Sequence, residues 1–317
     1  PLGLLTIAAM FTADYRLRVV DMNTAPLTDD DLHWADLVLT STMVVQKQSL
    51  REVIGRCNRA GVPIACGGPH PTTFHDEIAS SLGPGERVDH FILGEAEEVF
   101  PRFLRDLREG RAARLYRAEG RPDVTRTPLP RYDLIRLEHY GSMAVQFSRG
   151  CPFDCEFCDI TKLFGRVPRT KTDEQVIAEL ELLHRLGWRG AVFMVDDNFI
   201  GNKRAAMSLL PRIEKWQAAR GFPFSLFTEA SVNVVEVPGM LEALASAGFT
   251  LLFVGIESPN QAALRLTHKL QNTTRKADAD GYLLRAVREI QRHGIEVAGG
   301  FIIGLDGDEE FDSHVAF

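Results

Sequence analysis

Ser148-Arg149-Gly150-Cys151-Pro152-Phe153-Asp154-Cys155-Glu156-Phe157-Cys158-Asp159 places three cysteines, spaced x3 then x2, within eight residues. The stretch follows the apolar run Met143-Ala144-Val145-Gln146-Phe147, so the loop leaves the end of a buried strand. Thiolates are the soft ligands that zinc and iron–sulfur clusters select. A structural zinc site is closed and tetrahedral and needs a fourth ligand. Cys57 and Cys66 lie far upstream, and His139 and His184 stand at no finger-like spacing. Three ligands fit better an iron–sulfur cubane with one iron left open for a substrate or cosubstrate. A zinc site and a set of inert core thiols are the alternatives.

Working outward, the segment from Leu134 reads as five buried strands, each followed by helix: Ala144 to Phe147, Ala191 to Val195, Phe224 to Thr228, Leu251 to Ile256 and Val297 to Ile303. The first ends in the cysteine loop. The others end in Asp196-Asp197-Asn198, Glu229-Ala230-Ser231, Glu257-Ser258 and Gly304-Leu305-Asp306. Strand interiors are apolar while every carboxyl end delivers an acid, an amide or a thiol. In a β/α barrel that face carries the chemistry, and core packing does not explain buried carboxylates, which are costly when isolated. Thr172 and Gln175 form a capping-box pattern ahead of a helix from Asp173 to Leu186, with Val176, Leu180 and Leu183 on its apolar face. Proline at 238 suits the first turn of a helix over Gly239 to Ala247. Arg166-Val167-Pro168-Arg169-Thr170-Lys171 is basic and reads as a solvated loop, with an anion grip by Arg169 as the functional alternative.

Upstream, a helix over Leu2 to Phe11 is followed by strands at Arg18-Val19-Val20, Leu37-Val38-Leu39, Val62 to Cys66 and Phe91-Ile92-Leu93, with helices at Gln48 to Ala60 and Ala96 to Glu109. Alternating strands and helices imply a parallel sheet covered on both faces, with a ligand crevice beyond the strand ends. No G-x-G-x-x-G is found, which disfavours a dinucleotide. His70, in Gly67-Gly68-Pro69-His70-Pro71, reads as a turn histidine in a strand-end loop, and Cys57 and Cys66 as small core hydrophobes. Three prolines between Arg121 and Asp133 mark an interdomain linker.

The chain has 317 residues, enough for two cores, and 45% hydrophobic residues make it globular. A net charge of −7 argues against a nucleic acid as the main partner. No apolar run approaches the roughly 20 residues a transmembrane helix needs. Five cysteines, unevenly placed, suit a reducing compartment, so a cytoplasmic location is expected, with a membrane-peripheral one open. The sequence opens on Pro1 and stops at Phe317, inside what reads as a helix, so both ends read as truncated.

Cys-x3-Cys-x2-Cys with an aromatic before the last cysteine resembles the radical S-adenosylmethionine (SAM) enzymes. The resemblance implies that Cys151, Cys155 and Cys158 hold a 4Fe–4S cluster, that its open iron binds SAM, and that Phe157 lies beside the adenosyl group. It further implies that Asp196 and Asp197 face the methionyl ammonium, that Glu229 and Ser231 face the ribose or methionine, and that Glu257 contacts the ribose. The strand ending at Gly304 would pass the adenine; the family's acid three residues on is Gly307 here, between Asp306 and Asp308.

The upstream domain resembles the flavodoxin-like (Rossmann-type) cobalamin-binding domain that precedes the core in many such proteins. Its first strand would precede Pro1, and the Asp-x-His-x-x-Gly motif that would follow that strand is not found. The implied fold is α/β: a cobalamin-binding domain over 1–121, a linker over 122–133, and a partial (β/α)6 TIM-like barrel over 134–317. The wording of Gln146 to Phe153, Pro168 to Thr172, Val195 to Asn198 and Thr228 to Ser231 resembles the cobalamin-dependent radical SAM subgroup that includes the hopanoid C-2 methylase. That implies methyl transfer to an unactivated carbon of a lipid-like or other small molecule, with a reductase, flavodoxin or ferredoxin as electron donor. A tetrapyrrole-type cyclisation or rearrangement, or a non-catalytic corrinoid- or metal-binding sensor, are the other readings.

Overall fold

A computed structural model describes residues 1–273 and 281–307. The chain divides between Tyr140 and Gly141 into two units.

In the first unit, α1 (Leu2–Ala8) and α2 (Asp29–Trp34) precede a four-stranded parallel sheet of β1 (Val38–Ser41), β2 (Ile64–Gly67), β3 (His90–Leu93) and β4 (Leu115–Arg117), in that order. The connecting helices are α3 (Lys47–Ala60), α4 (Pro69–Ser80) and α5 (Ala96–Arg108). Strand residues alternate between two cores, as a period of two requires. Ile64, Cys66, Phe91 and Leu93 pack with Leu50, Val53, Ile54 and Cys57 of α3 on one face. Ala65 and Ile92 pack with Phe100, Phe103 and Tyr116 on the other. The buried α3 residues recur at helical spacing, and Gly61 ends that helix in the left-handed conformation (φ 71°), where Val62 N donates to Cys57 O. Both upstream cysteines are inside these cores: burial pushes the Cys57 thiol up to about 11 and Cys66 to about 12.

Three expectations change here, and one strand is added. The first helix stops at Ala8, short of Phe11. Arg18-Val19-Val20 forms no strand; Arg18 instead lies over the Trp34 ring, 4.5 Å from its centroid, and bonds Asp31 Oδ1 at 2.6 Å. His70 lies not in a loop but in the first turn of α4, which Gly68 (φ 93°) and Pro69 initiate. β4, three residues with only Tyr116 buried, was too short to show as a periodic pattern. The proline-bearing stretch packs on this same unit: Tyr132 is buried, Arg131 N donates to Leu5 O at 3.1 Å, and Tyr140 Oη donates to Asp21 at 2.9 Å.

The second unit is built on five parallel strands: β5 (Ser142–Val145), β8 (Gly190–Met194), β9 (Phe224–Ala230), β10 (Phe249–Glu257) and β11 (Glu296–Phe301), hydrogen-bonded in that order. A short antiparallel pair, β6 (Ser148–Arg149) and β7 (Arg169–Thr170), stands at the end of β5. Helices α6 (Ile160–Leu163), α7 (Asp173–Arg185), α8 (Lys203–Ala218), α9 (Met240–Ser246), α10 (Gln261–Leu266) and α11 (Tyr282–Arg292) fill the connections. The capping box at Thr172 and Gln175 is formed, and Val176, Leu180 and Leu183 of α7 are fully buried, each contributing ~1.5–3 kcal/mol by burial. Arg169 and Thr170 are not in a solvated loop: they pair with the cysteine strand, and Lys171 is buried. The last strand ends at Phe301, not Ile303, because the chain turns there.

Candidate functional site

The cysteine loop is fixed by backbone groups before any side chain acts. Gly150 takes φ 97°, and a Cβ on it would stand 2.8 Å from Gly165 O, so only glycine makes this turn without displacement. Gly150 N donates to Asp197 Oδ2 at 2.7 Å, Cys151 N to Gly165 O at 3.1 Å, and Cys158 N to Cys155 O at 3.1 Å. Glu156 N donates to Thr267 O at 3.0 Å, which ties the loop to the turn after α10.

Asp196 is buried and turned inward. Its carboxylate accepts from the backbone N–H of Phe147 and Ser148, and burial raises its carboxyl to about 7. It therefore tethers the start of the cysteine loop to the end of β8. Below the same loop lies a feature that sequence reading missed, a buried ion pair between Lys171 and Glu179, whose carboxyl burial pushes upward. Lys171 N also donates to Phe147 O at 2.8 Å. Arg169 Nη2 donates to Phe164 O at 3.1 Å, so part of its guanidinium serves this loop.

Around the sulfurs, the strand ends contribute as follows. Asn198 Nδ2 reaches Ser231 Oγ at 3.0 Å and Cys151 Sγ at 3.9 Å. Glu229 is half-buried; burial and the neighbouring Asp197 charge raise its carboxyl. Asp197 also bears on Cys158, so two carboxylates and a thiol share one region. Glu257, in the left-handed conformation (φ 64°), accepts from Lys269 Nζ at 2.7 Å, and that ammonium stands 5.7 Å from the centroid of the Phe157 ring. Phe157 itself is 41% exposed, an apolar face offered to solvent beside the thiols. Gly304 is exposed in a left-handed turn (φ 88°) three residues past β11, and Asp308 lies outside the described residues. The turn at Leu270–Asn272 is the second feature the sequence did not announce: Gln271 Nε2 donates to Cys155 Sγ at 3.3 Å.

Burial raises the Cys151 and Cys158 thiols, so without a metal they stay neutral, whereas a coordinating metal deprotonates them outright. Among the described residues no three Cys, His, Asp or Glu side chains converge as a single-ion site demands. A cubane spreads its three thiolates over three irons, so they surround one cluster without sharing one ion; Cys151, Cys155 and Cys158 lie near enough to bear on one another's charge, and amide donors aimed at sulfur suit a cluster. The donor set fits an iron–sulfur cluster.

At the strand ends of the first unit, Gly67 and Gly68 pack closely against neighbouring backbone. A Cβ on Gly68 would meet Thr42 N at 2.8 Å and Ser41 Oγ at 2.9 Å, and one on Gly67 would meet Ile92 O at 3.1 Å. Thr42 Oγ1 and His70 Nδ1 are buried there without a hydrogen-bond partner among the described residues. Buried orphan polar atoms are costly, and a polar-edged cofactor that bonds them removes that cost.

Comparison with known proteins decides the family. The sequence model of the radical SAM superfamily matches residues 145–317. The chain belongs to the radical SAM superfamily. Residues 1–104 match the model of the B12 binding domain. This radical SAM protein is 43% identical over 98% of its length to an uncharacterized methyltransferase of Synechocystis, covering 56% of that protein. It is 40% identical over 97% of its length to the hopanoid C-2 methylase of Rhodopseudomonas palustris, covering 57% of it. The chain thus spans little more than half the length of these curated relatives. In fold it is similar to the cobalamin-dependent radical SAM enzyme OxsB (TM-score 0.75, 18% identity, 96% of this chain and 47% of that one). It is likewise similar to the radical SAM methyltransferase TsrM of Kitasatospora setae (TM-score 0.67, 18% identity, 86% of this chain and 58% of that one). The fold is α/β, a B12-binding domain ahead of a radical SAM domain. The radical SAM domain implies a 4Fe–4S cluster and SAM, and the B12-binding domain implies cobalamin. Among the described residues no helix is long and apolar enough to cross a membrane.

Proposed function

We propose that the protein is a cobalamin-dependent radical SAM C-methyltransferase that acts on an unactivated carbon of a lipid-like or other small-molecule substrate. The observation that carries this reading is similarity along 97% of the chain to a hopanoid methylase, through both cofactor modules at once. A saturated carbon offers neither an acidic proton nor an electrophilic centre, so general acid–base groups cannot start its reaction. When bound, the cluster with SAM supplies one-electron chemistry, and cobalamin supplies the methyl group.

Cys151, Cys155 and Cys158 hold the cluster. Asp197 and Glu229 pair with the methionyl ammonium; their mutual repulsion is relieved by a cation between them. Asn198 and Ser231, already bonded to one another, fix the polar wall beside Cys151 and face the ribose or methionine. Phe157 offers its ring to the adenosyl group. Asp196 holds the loop in place rather than touching SAM, since Phe147 and Ser148 already engage its carboxylate. Glu257 acts with Lys269 as a charged pair beside the ribose, and the chain at Gly304 passes the adenine. In the first unit Thr42, Gly67, Gly68 and His70 hold the corrinoid. The electron donor is a reductase, flavodoxin or ferredoxin, and the location is cytoplasmic, with membrane-peripheral docking for a lipid substrate.

The test is product mass after anaerobic reaction of the reconstituted full-length protein with methyl-labelled SAM. A labelled product is expected. Product formed without label points to cyclisation or rearrangement, and absence of 5′-deoxyadenosine in the presence of dithionite points to a sensor. Corrinoid absorbance retained after cobalamin loading and gel filtration is expected; its absence counts against the first-unit assignment.

A further inference from the structure

We propose that Gln271 sets the reduction potential of the cluster by donating its side-chain amide N–H to Cys155 Sγ. The inference rests on the assignment of Cys155 as a cluster ligand.

Gln271 belongs to the turn Leu270–Asn272, more than a hundred residues from the cysteine loop in sequence, and reaches it by the way this turn is braced. Glu156 N donates to Thr267 O at 3.0 Å, which docks the start of the turn on the loop between Cys155 and Cys158. Lys269 Nζ bonds Glu257 Oε1 at 2.7 Å, and Asn272 Nδ2 bonds Gly255 O at 2.7 Å and Ile256 O at 2.9 Å. The residues on either side of Gln271 are therefore anchored to the end of β10, and its amide has little freedom. It is 9% exposed, its Nε2 stands 3.3 Å from Cys155 Sγ, and its Oε1 has no hydrogen-bond partner among the described residues. A thiolate has no hydrogen to offer, so only the N–H end of this amide suits a ligating sulfur. Asn198 makes the weaker counterpart on Cys151 at 3.9 Å.

Hydrogen bonds to cluster sulfurs are among the controls on iron–sulfur potentials. A donor stabilises the form with more electron density on sulfur, which is the reduced one, and so raises the potential. A neutral amide does this without adding net charge. Burial sharpens the effect, because water is not there to replace the donor. For a cluster that must be reduced by a protein donor, the direction is useful: loss of the bond makes the one-electron reduction harder.

The experiment is an EPR-monitored redox titration of anaerobically reconstituted full-length protein without SAM, with dithionite as the one-electron source. Gln271→Met keeps the length and removes the donor; Gln271→Glu keeps the shape and puts an oxygen in its place. With iron content equal to wild type, the potential is expected to fall in Gln271→Met and further in Gln271→Glu. Wild-type potential in either iron-replete variant overturns the proposal, and Gln271→Glu decides it if Gln271→Met takes up no iron. A Cys155→Ala variant run alongside separates the two claims: if it keeps a wild-type cluster signal, the ligand assignment itself fails.

Discussion

Glu257 and Lys269 form an ion pair of 2.7 Å with each side chain only about one-tenth exposed, and both stand beside the cysteine loop. The pair also explains Gly255, where a Cβ would lie 2.8 Å from the Lys269 ammonium. Removing one partner of a buried pair leaves an uncompensated charge and costs ~3–5 kcal/mol. Lys269→Met is therefore expected to lower the thermal midpoint of the second unit and to loosen the turn that carries Gln271. The double variant Glu257→Leu/Lys269→Met is expected to recover most of the loss. Calorimetry of both checks this, and equal midpoints for the single and double variants contradict it.

Asp196 gives a pH dependence of definite sign. Its folded carboxyl is raised to about 7 from an ordinary 3.8, burial being the largest cause. The neutral form fits the site better, so this group's contribution is full below the ordinary value, falls as pH rises, and is lost once pH passes about 7. The loss is on the order of 4 kcal/mol at 1.36 kcal/mol per pH unit. Asp196→Asn keeps an oxygen for the Ser148 N–H and never ionises. Urea midpoints between acid and slightly alkaline pH are expected to fall more steeply in the wild type than in the variant, and equal slopes exclude this account.

Gly150→Ala tests the shape of the loop. A side chain there meets a left-handed φ and Gly165 O at 2.8 Å. The expected cost is at least ~1 kcal/mol. The variant is expected to take up less iron on reconstitution than wild type at the same protein concentration; full iron uptake contradicts the loop geometry.

The elements legible in the sequence were those with a strong local pattern. Each of the five strands of the second unit was visible as an apolar run with polar residues at its end, and α7 through its capping box and buried stripe. Residues 18–20 had the same local apolarity and no strand formed, because strand formation depends on a neighbour that sequence pattern does not show. Within the site, the thiols and the acids at strand ends were readable because their spacing is local. Lys171–Glu179, Lys269–Glu257 and Gln271–Cys155 were not, since each joins elements brought together only by the fold. Lys171 in particular looked like one more charge of a basic segment, and its near-complete burial has no local signature. The phrase Lys269-Leu270-Gln271-Asn272, three polar residues around an exposed leucine, reads in sequence as an ordinary turn.

The most direct measurement is Mössbauer spectroscopy with iron and sulfide counts on anoxically reconstituted full-length protein, beside a variant with Cys151, Cys155 and Cys158 all changed to alanine. The account predicts a cubane signature in the wild type that shifts when SAM is added, and none in the triple variant. Tightly held zinc with no cubane signature in the wild type, or a cubane that survives loss of all three thiols, contradicts it.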